Sequence, residues 1–304
     1  MFIRIGFEIG IHCKSETTLI LALSPHSTNA SAVIGSDRVF ASTDLPMEEF
    51  LDPFGNRLTR LVAPPGPLLL WSDCIVEDDG QPDPQVPDAI QHLPGELPPE
   101  TLPYLIASRY CESDLLRDEA WRLFGGIPPG WARVAAITDF VHKHLTFGYA
   151  FGRPTKSATD ALREHTGVCR DFAHLSVALC RAMSIPARYA SGYLGDIGVP
   201  VSGPGDFCAW FEAYLGGRWH TFDARYNKPR IGRVLMVRGR DAGDGAMMTT
   251  FGAYDLTLFR VWTDEVPAHP SNAEMRELLS VRPNAPALVA TPANGRAHLE
   301  ANVF

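Results

Sequence analysis

The chain begins with a regular alternation of apolar and polar residues. Apolar side chains stand at every second position, at Ile3, Ile5, Phe7 and Ile9. This period of two predicts a half-buried strand with one face on a core. Short apolar runs separated by turn residues follow, without a helical period, at 17–23, 57–62 and 68–76. The pattern predicts a β-rich, sandwich-like N-terminal domain over residues 1–77.

The pattern changes after this domain. Residues 78–103 carry seven prolines, which remove backbone donors and favour extended structure, so they predict a linker on the surface. A period typical of amphipathic helices begins beyond it. The predicted helices run over residues 113–124, 129–144, 157–163 and 169–183.

Strands are predicted after these helices. They cover residues 187–193, 207–215, 218–223 and 256–262. Gly216-Gly217 joins the second and third strands, as in a tight hairpin. Residues 104–265 therefore predict one core, whereas the Pro/Ala-rich residues 266–304 carry little periodic signal and predict a poorly ordered tail.

Composition narrows the class of protein. With 304 residues, 45% hydrophobic and 20% charged, the chain is long enough for one large or two ordinary globular domains. Its net charge of −8, without clustered Lys and Arg, argues against a nucleic-acid partner. The absence of a basic leader and of a long apolar run predicts a cytoplasmic protein with no membrane partner.

The six cysteines are expected to be free thiols, since disulfide frameworks belong to small secreted scaffolds. Cys169 opens a predicted helix just after Gly167. At that place the helix dipole and the unpaired N–H groups favour a thiolate, and two of these groups could receive an oxyanion. Cys169 is therefore a candidate nucleophile, with a buried, unreactive cysteine as the alternative.

Several further motifs follow Cys169 in a fixed order: the strand entry Ile185-Pro-Ala-Arg188, then Ala209-Trp210, the Gly-Gly hairpin, and Trp219-His-Thr-Phe-Asp223. In this order the region from about residue 130 to 230 resembles the core of the transglutaminase-like superfamily, whose bacterial members often carry a β-rich N-terminal region. The resemblance implies an α+β fold with a papain-like transglutaminase core, in which helices pack on an antiparallel sheet. It also implies a Cys–His–Asp triad that attacks an amide carbonyl and forms a thioester.

Carried over residue by residue, this resemblance places the nucleophile at Cys169 and the orienting carboxylate at Asp223. The family's histidine position, just before Ala209-Trp210, holds Cys208 instead. A thiol with an ordinary pKa of about 8.5 replaces a histidine base poorly near pH 7.

Other histidines do not obviously fill that role. His220 should lie on the strand face opposite Asp223, and His174 lies about 140° around the helix from Cys169. His142, His144 and His165 stay open, with a surface or structural role favoured for each.

Three functional hypotheses follow. The first is a thiol enzyme, a cysteine peptidase or amidase that hydrolyses or transfers the acyl group of an amide or peptide bond through Cys169. The second is a Cys169/Cys208 thiol pair acting in redox, acid/base or, together with Asp223, metal chemistry. The third is a catalytically silent binding protein.

We favour the thiol enzyme, and hydrolysis over crosslinking, because an Asp-rich calcium loop is missing. No cofactor or metal is expected, since CxxC spacing is absent. By family resemblance alone, the substrate would be a peptide or small amide, and the protein would accompany an ATP-grasp-type ligase.

A group of basic residues follows Asp223 in an otherwise acidic chain. Its members are Arg225, Lys228, Arg230, Arg233, Arg238 and Arg240. They could receive an anionic substrate, or form a basic surface loop. Glu212, on the strand face of Cys208, could be a cleft group, but a solvated carboxylate is the favoured interpretation.

Overall fold

A computed structural model describes residues 1–201, 203–266 and 270–290. The first strands are β1 (Phe2–Cys13), β2 (Thr17–Leu21), β3 (Val33–Ala41), β4 (Met47–Leu51), β5 (Arg57–Ala63) and β6 (Gly66–Glu77). The helices and short strands that follow are α1 (Arg117–Phe124), α2 (Trp131–His144), β7 (Thr146–Phe147), α3 (Ala158–Glu164), β8 (Thr166–Gly167) and α4 (Cys169–Ala182). The remaining elements are β9 (Ala187–Leu194), β10 (Phe207–Leu215), β11 (Arg218–Phe222), β12 (Arg233–Gly239), β13 (Met248–Phe251), β14 (Tyr254–Val266), α5 (Asn272–Leu278) and β15 (Val289–Ala290). Short 3₁₀ turns lie at 27–32, 94–96, 99–104 and 149–151.

The N-terminal strands form two antiparallel sheets around an apolar core. Their orders are β15-β14-β1-β6-β3 and β13-β2-β5-β4. The sandwich-like prediction is confirmed. β13 and β14, which lie within the predicted core at 104–265, also pair into these two sheets, and β14 pairs with β1 along its whole length. Two strands so far apart in the sequence pair without any local pattern that would predict the pairing.

The first strand is buried on both faces, not half-buried as predicted. Its apolar face enters the sandwich core, and its polar face is covered by ion pairs. Arg4 donates to Asp73 at 2.9 Å, and Glu8 accepts from Arg260 at 2.7 Å. The polar positions of this alternation therefore hold charges that are buried in ion pairs, and they do not face water.

Part of the predicted disordered tail is structured. Within residues 270–290, Met275 of α5 is buried and packs beside Ile75 and Val266. Strand β15 pairs with β14 at the sheet edge. Contacts with the sandwich therefore order a segment whose own sequence has little periodic signal. Residues 267–269 and 291–304 lie outside the described residues.

The second unit consists of helices packed on an antiparallel sheet, as predicted. The strand order is β11-β10-β9-β12, and α4 lies against β9 and β10 with α1, α2 and α3 beside it. The helix is buried along most of its length, and its buried residues include Asp171, His174 and Arg181 beside many small and apolar side chains. This arrangement holds the first turn of α4 against the start of β10.

The Pro-rich segment at 78–103 contacts this unit directly. Asp83 binds the side chain of Arg233, and Gln91 donates to the carbonyl of Met183 at 2.9 Å. The predicted surface linker is therefore fixed to the core by polar contacts. No helix within the described residues is long and apolar enough to cross a bilayer.

Candidate functional site

Cys169 is the first residue of α4 and is half-buried. Asp171 caps this helix, since its carboxylate accepts from the N–H of Val168 at 3.0 Å and pairs with Arg170 at 3.2 Å. The first N–H groups of a helix point toward its N-terminal end, where Cys169 lies. The helix terminus therefore offers positive potential beside Cys169.

Cys208, on β10, lies directly beside Cys169, and the two thiols form a hydrogen bond. Both cysteines are free thiols in this structure. The hydrogen bond from Cys208 lowers the pKa of Cys169 and outweighs burial, which raises it. The same bond, together with burial and the nearby Asp223, raises the pKa of Cys208 well above its usual value. Of the two thiols, Cys169 is therefore the one that ionises first, and Cys208 is the partner that keeps its proton.

Asp223 follows β11 and is buried close to Cys208. Its Oδ2 atom accepts from Arg233 at 2.8 Å, and its Oδ1 atom accepts from the N–H of Tyr226 at 3.1 Å. The structure thus brings the three predicted residues Cys169, Cys208 and Asp223 together. It gives the carboxylate an arginine as its partner in place of a histidine.

The histidines of the described residues have other contacts. His220 bonds to the carbonyl of Leu215 at 3.1 Å, and His174 stacks on Tyr110 within the core. His144 and His165 pack ring to ring. His142 bonds to the carbonyl oxygen of Arg225 at 3.0 Å and so supports the backbone that follows Asp223. None of the described histidines lines a cavity next to Cys169.

Arg225 supplies positive charge beside the thiols. Its guanidinium lies 3.8 Å from the ring centre of Phe147 and 4.8 Å from that of Tyr226. Burial lowers the pKa of Arg225, but its electrostatic interaction with nearby groups, above all Cys169, outweighs this effect and the pKa is raised. By the same interaction Arg225 lowers the pKa of Cys169. The arginine is thus placed to stabilise a thiolate.

Removing the positive charge of Arg225 should destabilise the Cys169 thiolate relative to the thiol. In Arg225→Met we expect the pKa of Cys169 to rise by about one unit, because an opposite charge nearby typically contributes this much or more. The pH dependence of iodoacetamide alkylation at Cys169, read by peptide mass spectrometry, measures this shift. Arg225→Lys should retain most of the effect, and Lys228→Met, which changes an exposed side chain, should have none. An unchanged pKa in Arg225→Met would contradict the assignment.

Two cavities meet at the thiol pair. One of about 300 Å³ is lined by Cys169, Ser191 and Met247, among others. The second, of about 420 Å³, is lined by Cys208 and Arg225, among others. The first cavity includes residues of β13, so the N-terminal sandwich forms part of its wall. A substrate could therefore extend to both sides of the thiols.

Comparison with known proteins agrees with this geometry. Residues 121–224 match the family model of the transglutaminase-like superfamily. A solved structure of a candidate cysteine protease from Cytophaga hutchinsonii is 32% identical, with a TM-score of 0.76 over 89% of this chain and 92% of that one. The chain belongs to the transglutaminase-like superfamily.

A curated relative, the uncharacterized protein ML0607 of Mycobacterium leprae, is 46% identical over 104 residues. This match covers 30% of the present chain and 37% of ML0607, so the chain spans little more than a third of that relative. The transglutaminase-like fold and the Cytophaga hutchinsonii match support a thiol enzyme at the level of the family.

This superfamily member contains two site residues that the sequence analysis did not identify, Asp206 and Tyr149. Tyr149 lies in the 3₁₀ turn after β7, and its hydroxyl bonds to the Asp206 carboxyl. Both residues line both cavities. Asp206 stands two positions before Cys208, and the period of two along a strand is the signal that could have placed both on one side.

Most of the basic group after Asp223 is paired with carboxylates, although Lys228 is exposed. Arg230 pairs with Asp196 at 3.3 Å, Arg233 with Asp83 at 2.9 Å, and Arg240 with Asp244 at 2.8 Å. Glu212 is likewise buried between Arg188 and Arg238 rather than solvated. These charges therefore hold the transglutaminase-like core together, and Arg225 is the member that reaches the thiols.

Proposed function

We propose that this protein hydrolyses, or transfers the acyl group of, an amide or peptide bond through a thioester on Cys169. The observation that carries the proposal is the position of this thiol. It opens α4, accepts a hydrogen bond from Cys208 and lies near Arg225, beside a cavity of about 300 Å³. Each of these features favours the nucleophilic thiolate form.

In this reaction the Cys169 thiolate attacks the carbonyl carbon, and the oxyanion forms near the N–H groups of the first turn of α4. The C–N bond then breaks and the amine leaves with a proton. Water attacks the thioester carbon, the C–S bond breaks and the thiolate returns. We place the acyl part and the amine part of the substrate in the two cavities that flank the thiols.

A peptide or small amide fits the combined size of these cavities better than a second folded protein, which favours hydrolysis over crosslinking. We also propose, on family resemblance alone, a cytoplasmic protein that acts with an ATP-grasp-type ligase. Such a ligase forms amide bonds of the kind that this site would cleave.

The pH dependence of Cys169 alkylation by iodoacetamide tests the proposal without the natural substrate. We expect an apparent pKa below the ordinary thiol value of about 8.5. In Cys208→Ser the pKa should change, because the thiol that donates to Cys169 is its main stabilising partner. An upward shift of about one unit, and about tenfold slower alkylation at pH 7, is expected if the serine hydroxyl does not restore that bond.

Cys180→Ser is the matched control, since Cys180 lies on the same helix but is buried in the apolar core. It should leave the alkylation profile of Cys169 unchanged. A Cys169 that reacts with an ordinary or raised pKa in the native protein would contradict the proposal and favour a silent binding protein.

A reversible disulfide between Cys169 and Cys208 is the second candidate, because the two thiols bond directly to each other. It predicts that both thiols resist alkylation together until a reductant is added. The metal-site version has no support, since no group of three or more His, Cys, Asp or Glu among the described residues could hold a metal ion.

A further inference from the structure

The amine that leaves a thioester-forming site needs a proton, and no described histidine lines either of the cavities beside the thiols. Asp206 is the acid group that the structure places there. It immediately precedes β10, lines both cavities, and its charge acts on Cys169, whose pKa it raises.

The surroundings of Asp206 leave one oxygen free. The carboxyl bonds to the Tyr149 hydroxyl and to the N–H of Phe207. Its Oδ1 atom is inaccessible to water and has no hydrogen-bond partner among the described residues. A carboxylate that only supported the fold would have both oxygens bonded, as Asp241 does with the N–H groups of Tyr110 and Gly243, each at 2.8 Å. The free oxygen of Asp206 is therefore available to a substrate atom.

We propose that the Asp206 carboxyl gives the leaving amine its proton and takes a proton from the attacking water, in place of the missing histidine, with Tyr149 holding it in place. The inference rests on the proposed thioester chemistry of Cys169. Asp206 would be a catalytic residue and Tyr149 a positioning residue.

The cycle starts from the Cys169 thiolate and the protonated Asp206 carboxyl. As the thiolate attacks the carbonyl carbon and the C–N bond breaks, Asp206 gives its proton to the amide nitrogen, and the free amine leaves. In the second half the Asp206 carboxylate takes a proton from water, whose oxygen attacks the thioester carbon. The C–S bond then breaks, which returns the Cys169 thiolate and leaves Asp206 protonated as at the start.

The groups facing Asp206 agree with this role. Burial raises its pKa to about 6, and Tyr149, Arg225 and the N–H of Phe207 oppose that shift. Tyr149 comes from the turn after β7, Arg225 from the segment after β11, and Cys169 faces Asp206 from α4. A carboxyl that titrates near pH 6 can both give and take a proton close to neutral pH.

p-Nitrophenyl acetate separates the two halves of the reaction. Its nitrophenolate leaves without a proton, so acylation of Cys169 does not need Asp206, whereas hydrolysis of the acetyl thioester does. In Asp206→Asn we expect a burst of nitrophenolate within about threefold of the native rate. The turnover that follows should be about 100-fold slower, and acetylated Cys169 should accumulate in the mass spectrum.

The pH profile distinguishes proton transfer from structural support. Native turnover should rise with pH through about 6, because protonated Asp206 cannot accept a proton from water, and this rise should disappear in Asp206→Asn. Tyr149→Phe should retain the rise at a shifted pH. Asp241→Asn, the matched control for loss of a buried carboxylate, should keep the native profile even where stability falls.

Each outcome is informative. Native turnover and an intact pH rise in Asp206→Asn would overturn the role of Asp206 and leave the thioester proposal standing. Loss of the burst in Asp206→Asn alone would also overturn it, because Asp206 would then act on the thiol itself or on the fold. A native protein without any burst would contradict the thioester proposal, and the inference with it.

Discussion

Replacing Cys169 by alanine is expected to abolish the nitrophenolate burst and to reduce turnover by at least about 1,000-fold, because it removes the atom that forms the thioester. Alanine fits the site without strain, since it is smaller and is the best helix former at the first position of α4. Mass spectrometry of the protein after mixing with p-nitrophenyl acetate shows directly whether an acyl group is retained.

Two variants accompany this test. Cys169→Ser keeps the shape of the side chain but has a hydroxyl that the helix terminus and Arg225 cannot ionise near neutral pH, so it should be almost as inactive. Cys180→Ala removes a buried thiol of the same helix and should preserve the burst. Turnover that survives in Cys169→Ala would exclude this thiol as the nucleophile.

The pairing of Cys169 with Cys208 could be predicted because the family resemblance places both residues in one site, while local signals place each residue in its own element. A glycine and a capped helix start place Cys169, and the hairpin at Gly216-Gly217 fixes the register of β10 and β11. The helix start and the hairpin each depend on a short stretch of sequence. The family order then brings the two stretches together.

The partners of these residues could not be predicted, because they come from distant parts of the chain. Arg233 meets Asp83 across 150 positions, and Glu212 lies between two arginines that precede and follow it. In sequence each charge is typical of a solvated surface. In the structure these charges are buried and paired. Strand β12, whose basic residues suggested a surface loop, forms one edge of the sheet.

Asp206 was missed for a related reason. It precedes its strand and follows a Gly-Pro-Gly turn, so its local sequence is typical of a loop carboxylate. Its function becomes visible when the free Oδ1 atom and the bond to Tyr149 are seen together. Tyr149 itself lies nearly sixty residues earlier, in a short turn without a periodic signal.

Arg233 should be the most important ion-pair residue for stability. It is nearly buried, donates to Asp83 and Asp223, and lies 5.0 Å above the ring of Trp210. In Arg233→Met the buried Asp223 and the partly buried Asp83 lose their cation. We expect the free energy of unfolding to fall by about 3–5 kcal/mol, the usual cost of leaving a buried charge unpaired. The midpoint of urea unfolding measures this change.

Arg60→Met provides the comparison, because Arg60 pairs with Glu48 on the exposed surface, where about 1 kcal/mol or less is expected. Asp83→Asn in the Arg233→Met background should restore part of the loss, since one of the unpaired charges is then neutral. A loss of unfolding free energy near that of Arg60→Met would show that Asp223 reaches water without Arg233.

Because Arg233 holds Asp223 at 2.8 Å, Cys208→His alone should not rebuild the family's triad. A histidine at that position would have to displace the arginine before it could bind the carboxylate.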